Sequence, residues 1–302
     1  MELISSDLKI DFIGKSKFAL LLSFVLAIAS IYIWVSRGED KYGIDYKGGH
    51  AIVVQVPSSA SSENIRSALK TADISGAIVQ SFEEADGQYS IRLGGSLEET
   101  ETIKSKVKDS LSKFLSADVK ILQTDYVGPT IGAELRKNAL IATIIGLICI
   151  LIYISFRFDF SFALGAVVAL FHDVIIGIGI YLACGHMINM ATLAAVLTIV
   201  GYSVNDTIIV FDRVREEMMK AKSFDLDELL NRSINSTLSR TVITSLLTLF
   251  SALALLLFGG GAIADLSLFL VIGIIVGTYS TFFIASPVAR AWEMRQLAKI
   301  HK

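Results

Sequence analysis

The chain has 302 residues, of which 53% are apolar and 19% charged, and it contains only three prolines. This composition excludes an ordinary soluble domain, while the net charge of −2 says little about partners. The two cysteines, Cys149 and Cys184, both fall in apolar stretches, so the sequence predicts neither a disulfide framework nor a metal site.

Six long apolar stretches predict six membrane-spanning helices, because a helix needs about 20 mostly apolar residues to cross a bilayer. The third stretch tolerates one interior charge, Asp173. The apolar run of the first stretch is too long for a cleaved signal peptide, and no small-residue cleavage site follows it. The predicted spans are 18–36, 138–156, 161–183, 188–211, 241–259 and 265–288.

The basic residues predict how these spans are oriented. Lysine and arginine are concentrated in the N-terminal arm, the 212–240 connection and the C-terminal tail, and are absent from the short connections near 184–187 and 259–264. Since positive residues mark the cytoplasmic side, both termini are predicted to be cytoplasmic. The predicted domains are a cytoplasmic arm (1–17), the first span (18–36), an extracytoplasmic domain (37–136), spans two to six (137–289) with the cytoplasmic connection 212–240, and a cytoplasmic tail (290–302).

Residues 37–136 have the composition of a soluble domain and predict elements in the order βαββαβ. The helices 61–72 and 96–115 are amphipathic, and Asp86-Gly87 predicts a hairpin between the second and third strands. The predicted strands are 50–56, 76–82, 88–93 and 118–127. The predicted fold class is an α-helical polytopic membrane protein of six transmembrane helices with a ferredoxin-like α+β extracytoplasmic domain.

Three shorter segments predict local structure. "GIDYKGG" (43–49) lacks the spacing of a phosphate-binding loop and precedes a strand, so it predicts a tight turn between the first span and the outer domain. "GIIVG" (273–277) has the small-xxx-small spacing of a helix packing face. Leucine and isoleucine at helical spacing in 226–238 predict an amphipathic helix at the cytoplasmic interface, leading directly into the fifth span.

Asp206 is the sharpest functional feature, because no charged residue lies between Asp173 and Asp206. An aspartate at the centre of a spanning helix costs about 2.5–3.5 kcal/mol on insertion scales, so such residues usually face a protein interior or water. We interpret Asp206 as a residue that binds and releases a proton. The alternative is a carboxylate that caps the helix end or ties two helices together. A polar stripe at intervals of four, with two polar neighbours, accompanies it: Thr198, Tyr202, Asp206, Ser203 and Asn205.

Arg240 is a candidate counter-charge for Asp206, because it lies at the mouth of the fifth span. The alternative is an ordinary juxtamembrane arginine. Arg213, seven residues after Asp206 and on the same helix face, competes for the partner role. Hydroxyl side chains that can hold water or bond across helices follow Arg240. They are Thr241, Thr244, Ser245, Thr248 and Ser251.

His172 and Asp173 lie near the middle of the third span. Histidine titrates near neutral pH and can relay protons. Adjacent residues on a helix point about 100° apart, so we expect only one of the two to face the polar interior. For Asp173 a functional and a structural role are both open.

Asp173 and Asp206 are also two carboxylates of the kind that an intramembrane aspartyl protease needs. Neither lies in the Tyr-Asp or Gly-x-Gly-Asp setting of that class, and Gly-x-Ser-x-Gly of a serine hydrolase is absent from the sequence. The sequence therefore does not predict an enzyme.

Five segments together resemble the SecF family, the six-span members of the SecDF accessory machinery of bacterial protein secretion, within the resistance-nodulation-division superfamily. The resemblance covers nearly the whole chain. Its segments are "GIDYKGG" (43–49), "VGPTIGAELRKNAL" (127–140), "SFRFDFSFALGAVVALFHDV" (155–174), "GYSVNDTIIVFDRVREE" (201–217) and "NRSINSTLSRT" (231–241).

The resemblance implies roles and partners. It implies that Asp206, in the Asn-Asp-Thr motif, carries the proton, and that Arg240, in the Ser-Arg-Thr motif, is its functional partner. It also implies that SecD supplies a facing aspartate, and that the SecYEG channel, YajC and an unfolded preprotein are partners. The expected location is the bacterial cytoplasmic (inner) membrane. The expected energy source is an H⁺ gradient, with Na⁺ as the alternative, and no cofactor, metal or nucleic acid is expected.

The resulting hypothesis is a subunit that uses the proton-motive force to promote late stages of preprotein translocation. In it, the outer domain moves with the first and second spans that flank it. Two alternatives stay open: a small-molecule proton-antiport exporter half of the same superfamily, and a structural scaffold for SecD.

Overall fold

We describe a computed structural model of the chain, which covers residues 9–57, 59–74, 77–81, 87–220, 225–259 and 261–300. In chain order, its elements are α1 (Phe12–Ser36), α2 (Ile44–Lys47), β1 (Gly49–Gln55), α3 (Ser62–Thr71), β2 (Ile78–Ser81), β3 (Gln88–Leu93), α4 (Thr100–Leu115), β4 (Lys120–Val127), α5 (Pro129–Arg157), α6 (Phe160–Ala183), α7 (Met190–Lys220), α8 (Leu226–Phe258), α9 (Gly261–Ser280), a π-helical turn (Thr281–Ala285) and α10 (Ser286–Ile300).

Six helices of the described chain are long and apolar enough to cross a membrane, as predicted. They are α1, α5, α6, α7, α8 and the continuous helix Ile263–Gln296. Several begin or end well outside the apolar stretches that predicted them. The helix α1 begins at Phe12 because Asp11 caps it, its Oδ1 accepting a hydrogen bond from Gly14 N at 2.8 Å. The helix α5 begins at Pro129, a residue suited to a first helical position.

As predicted, the amphipathic segment before the fifth span leads directly into it, because it is the first half of α8. Contrary to the prediction, it packs inside the bundle instead of lying at the membrane interface. With 33 residues, α8 is about 50 Å long. Its apolar face packs against α7 residues such as Phe211 and Val214, so this face is covered by protein and not by lipid headgroups. The buried residues of this face are Leu226, Leu229, Leu230, Ile234 and Leu238.

The α+β domain has the predicted order of elements, βαββαβ, and forms one four-stranded antiparallel sheet in the order β2-β3-β1-β4. Its core lies between one sheet face and the two helices. The strands contribute Ile52 and Ile91 and the helices contribute Leu69 and Leu111, all at most 1% exposed. The predicted hairpin at Asp86-Gly87 lies partly outside the described residues.

The predicted packing face at 273–277 is confirmed. A Cβ atom added at Gly273 would lie 2.5 Å from Ile199 of α7, and one added at Gly277 would lie 3.1 Å from Ser203 Cβ. The backbone of α9 therefore touches α7 at two successive turns, which leaves no room for a side chain between them.

The "GIDYKGG" segment is more than the predicted tight turn. It forms the one-turn helix α2, which Gly48 and Gly49 end with φ values of +79° and +118°. These values favour glycine, and a Cβ at Gly49 would lie 2.4 Å from Leu93 O. The chain thus passes from the first span into β1 through a short helix and a glycine pair.

We name the two ends of the bundle by what they carry. The domain end adjoins the α+β domain. The terminal end carries the start of α1, the start of α8 and α10, where the amide oxygens of Asn231 and Asn235 accept hydrogen bonds from the backbone of residues 10–13.

Candidate functional site

Asp206 lies inside the bundle, where α7, α8 and α9 meet, and is 1% exposed. Its Oδ2 accepts one hydrogen bond, from Ser245 Oγ of α8 at 3.4 Å. Ser245 Oγ in turn accepts a hydrogen bond from Thr278 Oγ1 of α9 at 2.9 Å. Among the described residues, the buried carboxylate of Asp206 thus has a single long hydrogen bond, which stabilises a charge only weakly.

Arg240 lies on α8, five residues before Ser245, and is exposed. It is close enough to Asp206 to attract the carboxylate electrostatically. Among the described residues, this attraction acts without a hydrogen-bonded ion pair between the two. The arrangement leaves the Arg240 guanidinium open to other groups on the surface of the bundle.

Arg213 does not pair with Asp206, contrary to one of the predicted options. Its Nη1 lies 2.7 Å from Glu216 Oε2 and its Nη2 lies 3.0 Å from Glu217 Oε1. These partners are three and four residues away on the same helix, whereas Asp206 is about 10 Å away along the helix axis. Arg213 therefore belongs to the charged cluster at the terminal end.

The hydroxyl stripe predicted after Arg240 divides into two groups. Thr244, Thr248 and Ser251 donate to carbonyl oxygens of their own helix at 3.0–3.1 Å. Thr241 and Ser245 are buried against the bundle.

A stripe of buried hydroxyls runs along α8 from Ser245, which bonds to Asp206, toward the terminal end of the bundle. It has an exact spacing of four along α8: Ser233, Thr237, Thr241 and Ser245, all buried. The hydroxyl oxygens of Ser233 and Thr241 have no hydrogen-bond partner in the described part of the chain. Sequence reasoning missed this stripe because it crosses the predicted boundary between the connection and the fifth span.

Asp173 of α6 is a second buried carboxylate, 2% exposed, and it is much better hydrogen-bonded than Asp206. Its Oδ2 accepts from Ser203 Oγ of α7 at 2.5 Å and from Ser280 Oγ of α9 at 2.8 Å. Its Oδ1 lies 2.9 Å from His172 Nδ1. The carboxylate of Asp173 thus bonds to three partners and connects α6, α7 and α9.

His172 and Asp173 both face the interior, so the expectation that only one would do so is wrong. The His172 side chain is 8% exposed and its imidazole turns toward the neighbouring carboxylate. Its ring stacks on Tyr279 with centroids 6.2 Å apart, and Tyr279 donates to Ala19 O of α1 at 2.8 Å. Neighbouring residues leave the helix about 100° apart, but the rotamer of a long side chain also decides where its ring lies.

Beside Asp173 and Asp206, the sixth span departs from α-helical geometry at Thr281–Ala285. The hydroxyls of Thr281 and of Thr207, the residue after Asp206, lie 3.2 Å apart. Single π-helical turns are frequent at functional sites. The turn is thus a further feature of the site that the sequence did not indicate.

Asn205 and Tyr202 do not join Asp206. Asn205 is exposed and lines a shallow cleft of about 360 Å³ between α5 and α7. Tyr202 is half-buried, and its buried hydroxyl has no partner among the described residues. Thr198 is exposed and donates to Ala194 O at 2.8 Å. The predicted stripe of 198, 202 and 206 therefore passes from the surface to the interior.

Six spanning helices, an α+β domain and carboxylates inside the bundle define a multi-pass α-helical membrane protein with ionisable groups in its interior. A family model described as "Protein export membrane protein SecD/SecF, C-terminal" matches residues 106–295. The protein translocase subunit SecF of Calditerrivibrio nitroreducens is 40% identical, over 95% of this chain and 95% of its own length. That of Rickettsia prowazekii is 36% identical, over 99% of this chain and 96% of its own. The chain belongs to the SecF family of protein translocase subunits.

Two solved structures have the same fold. The crystal structure of SecDF, a translocon-associated membrane protein from Thermus thermophilus, matches with a TM-score of 0.84 and 36% identity over 97% of this chain. SecDF in a super-membrane-facing form matches with a TM-score of 0.71 and 35% identity over 98% of this chain. In both cases the chain spans 40% of the length of the SecDF chain that it matches.

Proposed function

We propose that this chain is the subunit in which proton binding at Asp206 drives a late stage of preprotein translocation. The observation that carries the proposal is the setting of Asp206: 1% exposed, at the meeting point of three helices, with one hydrogen bond of 3.4 Å. An ionisable group inside a bundle of spanning helices with so few polar partners is a candidate for binding and releasing a proton. Membership of the SecF family supplies the biological context.

The physical cycle follows from the contacts of Asp206. While the carboxylate is ionised, Arg240 attracts it and Ser245 donates to it, which holds α7 and α8 together. Protonation removes the charge and with it the attraction to Arg240, so the two helices are free to shift. One charge crossing 100 mV supplies about 2.3 kcal/mol, which biases a two-state element on the order of fiftyfold.

Proton release runs along the buried stripe of α8, from Ser245 through Thr241 and Thr237 to Ser233. The hydroxyls of Ser233 and Thr241 lack a protein partner in the described chain, so they can donate a hydrogen bond to water or accept one from it. The stripe ends among the charged groups of the terminal end, where Glu217 binds Arg232. A proton leaving Asp206 would thus pass along hydroxyl side chains to the charged groups of the terminal end.

Replacing Thr241 with valine, which has nearly the same shape, tests this route. We expect the gradient-dependent part of secretion to slow by a factor on the order of ten, equivalent to about 1.4 kcal/mol of barrier. We expect thermal stability to stay the same or rise, because the hydroxyl that is lost has no partner in the described part of the structure. The measurements are secretion into inverted vesicles and unfolding in detergent.

The matched control is Thr244→Val, three residues away on the same helix, where the hydroxyl bonds only to its own backbone. Equal slowing by both substitutions would mean that α8 is perturbed in general, and the stripe would then have no role in proton release.

Partners and orientation are part of the same proposal. Because the chain matches 40% of the SecDF chain, we infer that SecD supplies the remainder. We propose that SecD also supplies the facing aspartate that the family resemblance implies. SecYEG, YajC and the unfolded preprotein complete the assembly. We propose that the protein lies in an inner membrane, with the domain end facing outward and the terminal end facing the cytoplasm. This orientation agrees with the concentration of lysine and arginine in segments 9–17, 213–240 and 290–299, because positive residues mark the cytoplasmic side.

Collapsing one ion gradient at a time tests which ion drives the cycle. In inverted vesicles that carry the complex, a protonophore should remove the gradient-dependent part of secretion, and a Na⁺ ionophore should not. The physical reason is that, within the described part of the chain, Asp206 has one hydroxyl within hydrogen-bond distance, whereas hard metal cations such as Mg²⁺ and Ca²⁺ take six or more oxygen ligands. Loss of secretion with the Na⁺ ionophore alone would assign the site to Na⁺.

A further inference from the structure

The one-turn helix α2 is bonded to the connection between α6 and α7 at the domain end. Gly43 N donates to Ile188 O and Ile188 N donates to Lys41 O, both at 2.8 Å. These two hydrogen bonds make a short parallel bridge between Tyr42 and Ile188. The segment that leads into the α+β domain is therefore paired, backbone to backbone, with the segment that leads into α7.

Asp45 extends this pairing to the start of α7. Its Oδ2 accepts a hydrogen bond from Met190 N, the first residue of α7, at 2.9 Å. A carboxylate at this position satisfies a free N–H group and opposes the positive end of the helix dipole. The helix that Asp45 caps is the one that carries Asp206, sixteen residues or about 24 Å further along.

Tyr46, the next residue of α2, bonds to the residue before Met190. It is 6% exposed and donates to Asn189 O at 3.3 Å. Burial raises the pKa of its phenol to about 12, so Tyr46 stays a neutral donor over the physiological pH range.

The connection is in turn bonded to the sixth span. Asn189 Nδ2 donates to Asp265 Oδ2 at 2.9 Å, and His186 Nδ1 lies 2.9 Å from Asp265 Oδ1. The start of α9 is therefore part of the same assembly as the start of α7 and α2. The far parts of these two long helices contain Asp206 and Thr278, which belong to one hydrogen-bonded chain.

We propose that residues 42–46 form a rigid joint through which movement of α7 reaches the α+β domain, with Asp45 as its positioning residue. This inference rests on the proposed function of Asp206. Directly after α2, the glycine pair leads into β1, a central strand of the sheet, so a displacement of the α7 end is passed to the sheet over a few residues. This route differs from the expectation that the flanking spans α1 and α5 move the domain. Both of those helices are mostly exposed along their apolar parts.

Substitution of Asp45 separates the joint from the proton site. With Asp45→Ala, we expect proton uptake by vesicles to stay at the wild-type rate while gradient-dependent secretion falls severalfold. With Asp45→Asn, which caps a helix about as well as aspartate, we expect secretion to return. Asp206→Asn should abolish both proton uptake and gradient-dependent secretion.

Other outcomes overturn the proposal in distinct ways. If Asp45→Ala lowers proton uptake as much as secretion, Asp45 shapes the proton site and transmits nothing. If it lowers neither, the joint has no mechanical role. If Asp206→Asn leaves secretion intact, the proposed function itself fails, whatever the Asp45 variants do.

A disulfide lock tests rigidity without removing Asp45. A Cβ at Gly43 would lie 3.3 Å from Asn189 Cβ, close to the separation that a disulfide needs. The double variant Gly43→Cys/Asn189→Cys, made together with Cys149→Ser and Cys184→Ser, is compared with itself after oxidation and after reduction. A rigid joint predicts at least as much secretion when oxidised. Secretion that stops on oxidation and recovers on reduction would show that the joint must open, and would overturn the proposal.

Discussion

Replacing Asp206 with asparagine is expected to remove all gradient-dependent secretion while the chain stays at its normal level in the membrane. Asparagine has almost the same shape and can accept the hydrogen bond of Ser245 Oγ, so packing at the junction of α7, α8 and α9 is retained. It cannot bind and release a proton, so the bias on the order of fiftyfold that one charge gains from 100 mV is lost. Secretion into inverted vesicles, with and without a protonophore, measures the effect.

The matched control is the same substitution at Asp212, six residues later on the same helix. Asp212 binds Arg157 at 2.6 Å, but its side chain is 39% exposed. An exposed pair of this kind contributes about 0–1 kcal/mol, so Asp212→Asn should secrete almost normally. If Asp206→Asn secretes and assembles like this control, the chain acts as a scaffold for its partner and not as the site of proton binding.

Replacing Asp173 with alanine is expected to have the second largest effect, and the effect should be on stability. Alanine leaves the hydroxyls of Ser203 and Ser280 without their shared acceptor inside the bundle. Leaving a buried donor of this kind without an acceptor costs about 1–3 kcal/mol for each hydroxyl. We expect a lower unfolding temperature in detergent and a reduced amount of chain in the membrane.

The conservative variant decides between the two roles that the sequence leaves open for Asp173. Asparagine can accept from both serines and donate to His172, so Asp173→Asn should restore the amount of chain and most of its secretion. Normal amounts of an Asp173→Asn chain that no longer secretes would assign Asp173 to the proton pathway instead.

The large-scale organisation of the molecule is predictable because hydrophobic periodicity is local. Runs of about 20 apolar residues are sufficient to define six spans. Two amphipathic helices and the strand segments beside them define the order of elements in the α+β domain. The buried position of Asp206 follows from the same reasoning, since an aspartate within an apolar helix rarely faces lipid.

The details of the site are less predictable because they depend on contacts between residues far apart in sequence. Arg213 could pair with Asp206 by spacing alone, but closer glutamates on its own helix bind it. The partners of Asp173 come from α7 and α9, so nothing near residue 173 distinguishes a well-bonded carboxylate from a poorly bonded one.

The role of "GIDYKGG" shows the same limit. Its glycines predict a turn, but the hydrogen bond from Met190 N to Asp45 joins residues 145 positions apart. The predicted start of the fifth span at residue 241 is too late. The basic and acidic residues of 225–240 suggested a connection, whereas the apolar residues between them are part of α8 and pack in the bundle.

The π-helical turn at Thr281–Ala285 has a consequence for the sixth span as a whole. A π turn holds about one residue more than an α turn, so α10 is rotated by roughly 100° relative to an uninterrupted continuation of α9. The two halves of one span can therefore present small residues to different neighbours: Gly277 to α7, and Ala285 and Ala289 to Gly165 of α6. Deleting a single residue from the turn would make the sixth span a continuous α-helix. Arg290 would then be rotated by about 100° around the helix axis and would lose its ion pair with Asp227.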